Sequence, residues 1–233
     1  MSQILSKASQ GTSSFAASKS RLKSLIGVAQ LNSSENLERN YEDIKKITEE
    51  CVDRGAKLIC LPDRFAYQPG KSGQEWSENP ETGKWFKRYR QLAMENCVWM
   101  SLGGFPEQHP TLQNRYYSTH YIINDEGFVH AKYRKMHMFV ANLENIGGER
   151  VQQNKQMLAG NSITQPCFSP VGYLGLSVSY DLRFPELYRK LTLAGAQILM
   201  IPSSFTAKTG GAHFETLMRT RAIENQCYVV TAN

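Results

Sequence analysis

The stretch Gly-Leu-Ser-Val-Ser-Tyr-Asp-Leu-Arg-Phe-Pro-Glu-Leu, from Gly175 to Leu187, most limits what this chain can fold into, because an apolar run passes into a helix start with no linker between them. Tyr173 to Tyr180 is small and apolar, with Val and Tyr in it, which predicts a buried strand. Pro185 suits the first helical position, and Glu186 the positive end of the helix. The same alternation recurs along the chain. Ser24 to Leu31, Lys57 to Pro62, Val98 to Phe105, Gln197 to Pro202 and Tyr228 to Thr231 read as buried strands. Between them Leu37, Tyr41, Ile44, Ile47 and Cys51 recur at helical steps. Trp85 to Asn96, the run through Leu187, Leu191 and Ala194, and the run through Phe214, Leu217, Met218 and Ala222 do the same. Asn32, Ser33 and Ser34 offer caps to the first helix, Glu35 and Glu38 fall in its first turn, and Gly55 ends it. Gly210-Gly211 should precede the last helix. Tyr116 to Asn124 and Phe128 to Tyr133, joined through Asp125-Glu126-Gly127, read as an antiparallel hairpin. Asn142 to Asn161 reads as a loop long enough to be a lid or binding loop. Strands alternating with helices imply an α/β fold with helices packed on a mixed sheet.

Composition removes several classes. At 233 residues and 41% hydrophobic content the chain can bury one full core. No apolar run is long enough to span a bilayer, so no membrane partner is expected. The net charge of +6 invites a nucleic-acid reading, but Lys7, Lys19, Arg21 and Lys23 all precede the first acid, Glu35. The rest is nearly balanced, with no basic stripe and interleaved aromatics, so nucleic acid is excluded as a partner. Residues 1–23, rich in Ser and Ala and free of acids, read as a disordered tail or an organellar transit peptide, and residues 24–233 as one domain. Cys51, Cys60, Cys97, Cys167 and Cys227 are odd in number and widely spaced. They suggest neither a metal pair nor a disulfide framework, and they fit a reducing compartment, cytoplasmic or, with a transit peptide, mitochondrial.

Chemistry belongs at the strand-to-helix corner, where the unpaired N–H groups of a helix start converge on a spot that a strand-end side chain can reach. Asp63 also stands at the carboxyl end of a strand, where α/β sheets place their ligands. Lys135 lies just past the second strand of the hairpin. Gly175-Leu176-Ser177-Val178-Ser179 partly imitates the esterase elbow Gly-x-Ser-x-Gly. It lacks the final Gly and places Ser177 inside the strand, which excludes an α/β-hydrolase.

Ser-Tyr-Asp-Leu-Arg-Phe-Pro-Glu at 179–186 closely resembles the nucleophile motif of the nitrilase superfamily of carbon-nitrogen hydrolases, in which the first residue is Cys. Tyr133-Arg134-Lys135-Met136-His137 is similar to that family's catalytic lysine segment, and Leu61-Pro62-Asp63 to its Leu-Pro-Glu. The nearest branch is Nit, which includes deaminated glutathione amidase and omega-amidase. Ser101-Leu102-Gly103-Gly104-Phe105 and Ala222-Ile223-Glu224-Asn225-Gln226-Cys227-Tyr228 add to the likeness, in family order. The resemblance implies a four-layer α-β-β-α sandwich lacking the last C-terminal strands, with a sheet edge or face left uncovered and self-association into a dimer. It implies hydrolysis of the amide of a small carboxylic acid, with no cofactor and no metal.

Carried over residue by residue, the base falls on Asp63, the oxyanion lysine on Lys135 and the nucleophile on Ser179, with the N–H of Tyr180 as second oxyanion donor. Glu215 becomes a pocket-lining glutamate beside His213, instead of half of a metal pair. A further family Glu, in the loop before the nucleophile strand, falls near Gln153 or Asn154. Serine is a far weaker acid than a thiol of pKa about 8.5, and it normally needs His or Lys as its base. Asp63 is one methylene shorter than Glu, and a displacement of about 1 Å can cost roughly a hundredfold in rate. Two readings follow: a hydrolase of weak or no activity, and a catalytically silent nitrilase-fold binding or partner subunit. Cys60 and Cys167 read as buried packing, not as substitute nucleophiles.

Overall fold

The structure, a computed structural model, describes residues 24–67, 75–142 and 150–233. The tail at 1–23 lies outside the described residues. The first sheet is built from β1 (Leu25–Val28), β2 (Ala56–Cys60), β3 (Trp99–Gln108), β4 (Tyr116–Ile123) and β5 (Val129–Arg134), in that spatial order. Its first three strands are parallel, and β4 and β5 turn back antiparallel through the expected hairpin. α1 (Leu37–Asp53) and α2 (Lys84–Glu95) connect its parallel strands. A short hairpin, β6 (Val140–Asn142) and β7 (Arg150–Gln152), follows, and β8 (Met157–Leu158) then pairs with the start of β4. The second sheet is parallel, in the order β11 (Tyr228–Val230), β10 (Ile198–Met200), β9 (Leu174–Leu176), connected by α3 (Pro185–Leu193) and α4 (Ala207–Asn225).

The layers follow from the two-residue period of the strands. Along β2, Ile59 and then Leu61 face a core shared with Tyr41 and Ile44 of α1 and Phe86 and Tyr89 of α2. Leu58 and Cys60 face the other way, into a core shared with Leu174 and Leu176 of β9, Leu199 of β10, and Tyr188 and Leu191 of α3. The first sheet is therefore buried on both faces, under helices on one and under the second sheet on the other, which is why its strands read as continuous apolar runs. The molecule is an α-β-β-α sandwich of the nitrilase type.

Several element boundaries differ from the sequence reading for local reasons. Asn36, not Asn32, Ser33 or Ser34, caps α1, its side chain accepting the Arg39 N–H at 3.1 Å; Ser34 is drawn aside to Asn40. Gly210 and Gly211 lie inside α4 because Thr206 supplies the cap four residues earlier. The expected strand Tyr173 to Tyr180 pairs only over Leu174–Leu176 and turns into a 3-10 helix at Ser179–Arg183. The loop expected at 142–161 holds β7, a 3-10 turn and β8, with 143–149 outside the described residues. Pro185 stands at the first turn of α3 as expected. At the edge of the second sheet, Tyr228 of β11 is 78% exposed. Among the described residues no helix is long and apolar enough to cross a membrane.

Candidate active site

Three strand ends meet at one place. Beyond β2, Leu61 N–H donates to Ser101 O at 2.9 Å and Asp63 N–H to Ser203 O at 3.1 Å, so the turn carrying Asp63 is bound to β3 on one side and to the segment after β10 on the other. Beyond β9, Ser179 N–H donates to Pro202 O at 2.8 Å. Past β5, Lys135 is held by its own N–H on Ser118 O at 2.9 Å and by Gly160 N–H on its carbonyl at 2.8 Å.

Asp63 is 7% exposed and Lys135 1%. Burial pushes the Asp63 carboxyl above the usual aspartate range, and the charges of Lys135 and Arg64, with the Ser179 hydroxyl and the Arg64 backbone nearby, hold it back. Its Oδ1 has no hydrogen-bond partner among the described residues, which leaves a carboxylate oxygen that favours a proton. Burial also pulls the Lys135 ammonium below the usual lysine range, opposed first by Asp63 and then by Asp181. Lys135 Nζ donates to Gln153 Oε1 at 3.2 Å, and the same oxygen accepts the Phe139 N–H at 3.0 Å. Gln153 is thus the neighbour of the lysine.

Ser179 adopts φ 50°, in the left-handed region where a non-glycine residue costs about 1–3 kcal/mol. This turn takes the side chain out of the strand direction and into a cavity of about 240 Å³. Asp63, Arg64, Gln153, Tyr180 and Arg183 line the cavity with Ser179, and Phe205, Thr206 and Thr209 from the start of α4 close the far side. Two guanidinium groups against one carboxylate make the cavity favour an anionic ligand. A larger trough of about 1030 Å³, between Ile26, Ile198, Ile223 and Tyr228, is lined by no carboxylate, lysine or arginine among the described residues. Size does not identify the site; the convergence of titratable groups does.

The sequence-predicted residues divide clearly. Asp63, Ser179 and Tyr180 line one cavity, and Lys135 does not, though its Nζ bonds to Gln153 of the lining and its charge acts on Asp63. Glu215 is not brought to this cavity: its side chain is 77% exposed and is paired with Arg219 Nε at 2.8 Å, one turn along α4. His213 is half-buried on the same helix and does not line the cavity. Among the described residues no cluster of three or more His, Cys, Asp or Glu is placed to hold a metal. Cys60 is buried, and burial pushes its thiol up; the same cause moves Cys167 up to about 11, and neither lines the cavity. Arg64 and Arg183 escaped the sequence reading, although Arg183 follows Ser179 by one helical turn and Arg64 follows Asp63 directly.

The sequence profile of the carbon-nitrogen hydrolase family matches residues 25–233. A deaminated glutathione amidase of Dictyostelium discoideum is 43% identical over 213 residues, covering 89% of this chain and 72% of that protein. A deaminated glutathione amidase of Rattus norvegicus is 37% identical over 211 residues, covering 89% of this chain and 64% of that protein. The crystal structure of the Caenorhabditis elegans NitFhit protein has a TM-score of 0.82 at 37% identity, over 89% of this chain and 50% of that one. That of Saccharomyces cerevisiae Nit3, a member of branch 10 of the nitrilase superfamily, has a TM-score of 0.77 at 26% identity, over 89% and 74%. The chain thus spans 64% to 72% of the length of these two amidases. A profile that runs from the first strand to the last residue, and a relative matched over most of its own length, place this chain in the carbon-nitrogen hydrolase family.

Proposed function

We propose that this protein hydrolyses the amide of a small carboxylic acid, of the deaminated glutathione or omega-amide class, slowly, through Asp63, Lys135 and Ser179. The observation that carries the reading is the buried Asp63 carboxylate, which lines one cavity with Ser179, Arg64 and Arg183. In the proposed reaction Asp63 takes the proton from Ser179 as Oγ attacks the amide carbon, and the oxyanion is met by the Lys135 ammonium and the Tyr180 N–H. Asp63 returns the proton to the departing nitrogen as the carbon–nitrogen bond breaks, leaving an ester on Ser179. A water attacks this ester, Asp63 takes the water's proton, and the acid leaves as the serine is restored. The raised carboxyl of Asp63 suits it to both halves.

The reaction is slow because the nucleophile is a hydroxyl and the base a short carboxylate. Neither matches the proton affinity of the other as a thiol and a longer Glu would. The cationic lining supports a substrate with a carboxylate, which the guanidinium of Arg183 or Arg64 can bind through two parallel hydrogen bonds.

Turnover of deaminated glutathione and alpha-ketoglutaramate, followed by release of free amine or ammonia, tests the proposal. Ser179→Cys should raise the rate at least about tenfold, and Ser179→Cys with Asp63→Glu should raise it further. A folded double variant that releases neither product overturns the hydrolase reading. The changed nucleophile and base favour a second reading, a silent binding or partner subunit, under which mass spectrometry of the native chain mixed with substrate detects no ester on Ser179.

A further inference from the structure

The most heavily bonded buried charge near the site is Asp181, which takes no part in the proposed reaction. It is fully buried. Its Oδ2 accepts the Tyr133 hydroxyl at 2.9 Å and the Val178 N–H at 2.9 Å. Its Oδ1 accepts the His137 N–H at 3.0 Å and lies 2.6 Å from His137 Nδ1. A carboxylate only accepts, so Nδ1 carries the hydrogen of that contact. Tyr133 and His137 stand two residues before and two residues after Lys135, and Val178 immediately precedes Ser179. One side chain therefore grips both flanks of the lysine and the backbone that enters the serine turn, across two different sheets.

We propose that Asp181 is the positioning residue that holds Lys135 and the Ser179 turn at a fixed separation. Four donors satisfy a carboxylate that burial would otherwise penalise, and charge-assisted bonds of this kind are the strong ones. They supply the constraint that a left-handed non-glycine residue requires from its surroundings. The His137 ring stacks on Phe184 at a centroid distance of 3.6 Å, which fixes the donor from its other face at the foot of α3. The negative charge also acts on Lys135, second to Asp63 in sustaining its ammonium form. Sequence neighbours cannot do this work, because Lys135 and Ser179 lie beyond β5 of one sheet and beyond β9 of the other.

The catalytic consequence of this clamp rests on the proposed function; its geometry does not. Two measurements test it. In the Ser179→Cys, Asp63→Glu chain, Asp181→Asn should lower kcat at least about tenfold and leave KM within about twofold, since substrate contacts are untouched. In the Ser179→Cys chain, the rate at which iodoacetamide alkylates the thiol introduced at position 179, followed by peptide mass against pH, reads that thiol's proton affinity, which depends on where Lys135 and Asp63 sit. Asp181→Asn should move that midpoint by about half a pH unit or more. A purely structural role would lower Tm and leave the alkylation midpoint and the kcat of the folded fraction unchanged, and that result overturns the inference. If the double variant turns over no substrate, the hydrolase reading fails and the alkylation profile still decides the role of Asp181. Tyr133→Phe, which removes one donor and leaves the carboxylate in place, serves both measurements should Asp181→Asn fail to fold. A smaller shift in the same sense is expected, and an unmoved profile overturns the inference.

Discussion

Asp63 depends on a residue with no side chain. Gly104 sits at φ 62°, and a Cβ built there would overlap the Asp63 carboxylate at Oδ1. Gly104→Ala therefore carries two penalties, a strained backbone and a displaced acid. Loss of about 1–3 kcal/mol in stability is expected from the backbone alone. A shift of about 1 Å in the acid adds roughly a hundredfold loss of turnover in any active background. Urea unfolding and turnover of the Ser179→Cys chain, which keeps Asp63, with and without Gly104→Ala measure the two effects separately. Unchanged turnover in a folded Gly104→Ala variant would remove Asp63 from the chemistry, since the methyl group cannot be accommodated without moving it.

The ends of elements carry the part of the site that sequence could show, and their phases carry the part it could not. Asp63 and Ser179 were legible as polar groups at strand ends, and Lys135, which follows the polar Arg134, was legible only through the likeness of Tyr133 to His137 to the family's lysine segment, the likeness that also supplied all three roles. The contact of Gln153 with Lys135 spans 18 residues, and the resemblance narrowed the place of the family's further Glu only to Gln153 or Asn154. The clamp made by Asp181 spans 44 to 48 residues, and no local pattern announces it. On α4, Met218 and Arg221 are buried with Phe214 half-buried beside them, and these define the inner face. Glu215 follows Phe214 by one residue, about 100° around the helix, which turns it to solvent. The start of that helix was misplaced because Gly210-Gly211 reads as a break, whereas the Thr206 hydroxyl, accepting Thr209 N–H at 3.4 Å, sets the boundary first. A Cβ at Gly211 would meet nothing within 4 Å. Gly211→Ala should then stabilise the chain by about 0.5–1 kcal/mol by reducing the freedom of the unfolded state. A rise in Tm of roughly 1–4 °C is the expected reading, and a fall would mean that α4 does not begin at Ala207.

Across the whole molecule the two sheets are joined by polar groups as well as by their shared core. His120 of β4 is fully buried, with Nε2 2.7 Å from Ser101 Oγ of β3 and Nδ1 3.0 Å from Ser177 O, just beyond β9. Because a carbonyl only accepts, Nδ1 carries the proton and Nε2 accepts from the serine, so the ring is a neutral bridge. Ser177 Oγ in turn donates to Met200 O at 2.9 Å and accepts from Tyr188 of α3 at 3.0 Å, extending the chain of bonds through β10 to the outer helix layer. Burial depresses the His120 imidazolium from 6.5 to about 4, with the Ser177 carbonyl opposing the shift. Between those values the unfolded chain binds the proton and the folded chain does not. The contribution of His120 is therefore full above pH 6.5 and is lost as pH falls toward 4. From pH 7 to pH 5 this one group should lower the unfolding free energy by about 2 kcal/mol. Asp63, whose carboxyl is raised, works in the opposite sense, favouring the folded state as pH falls. The difference between the native chain and His120→Gln in urea unfolding isolates the histidine. Parallel pH profiles for the two proteins would show that the bridge does not titrate, and with it would go the claim that a neutral imidazole fastens the strand leading to Ser179 onto the other sheet.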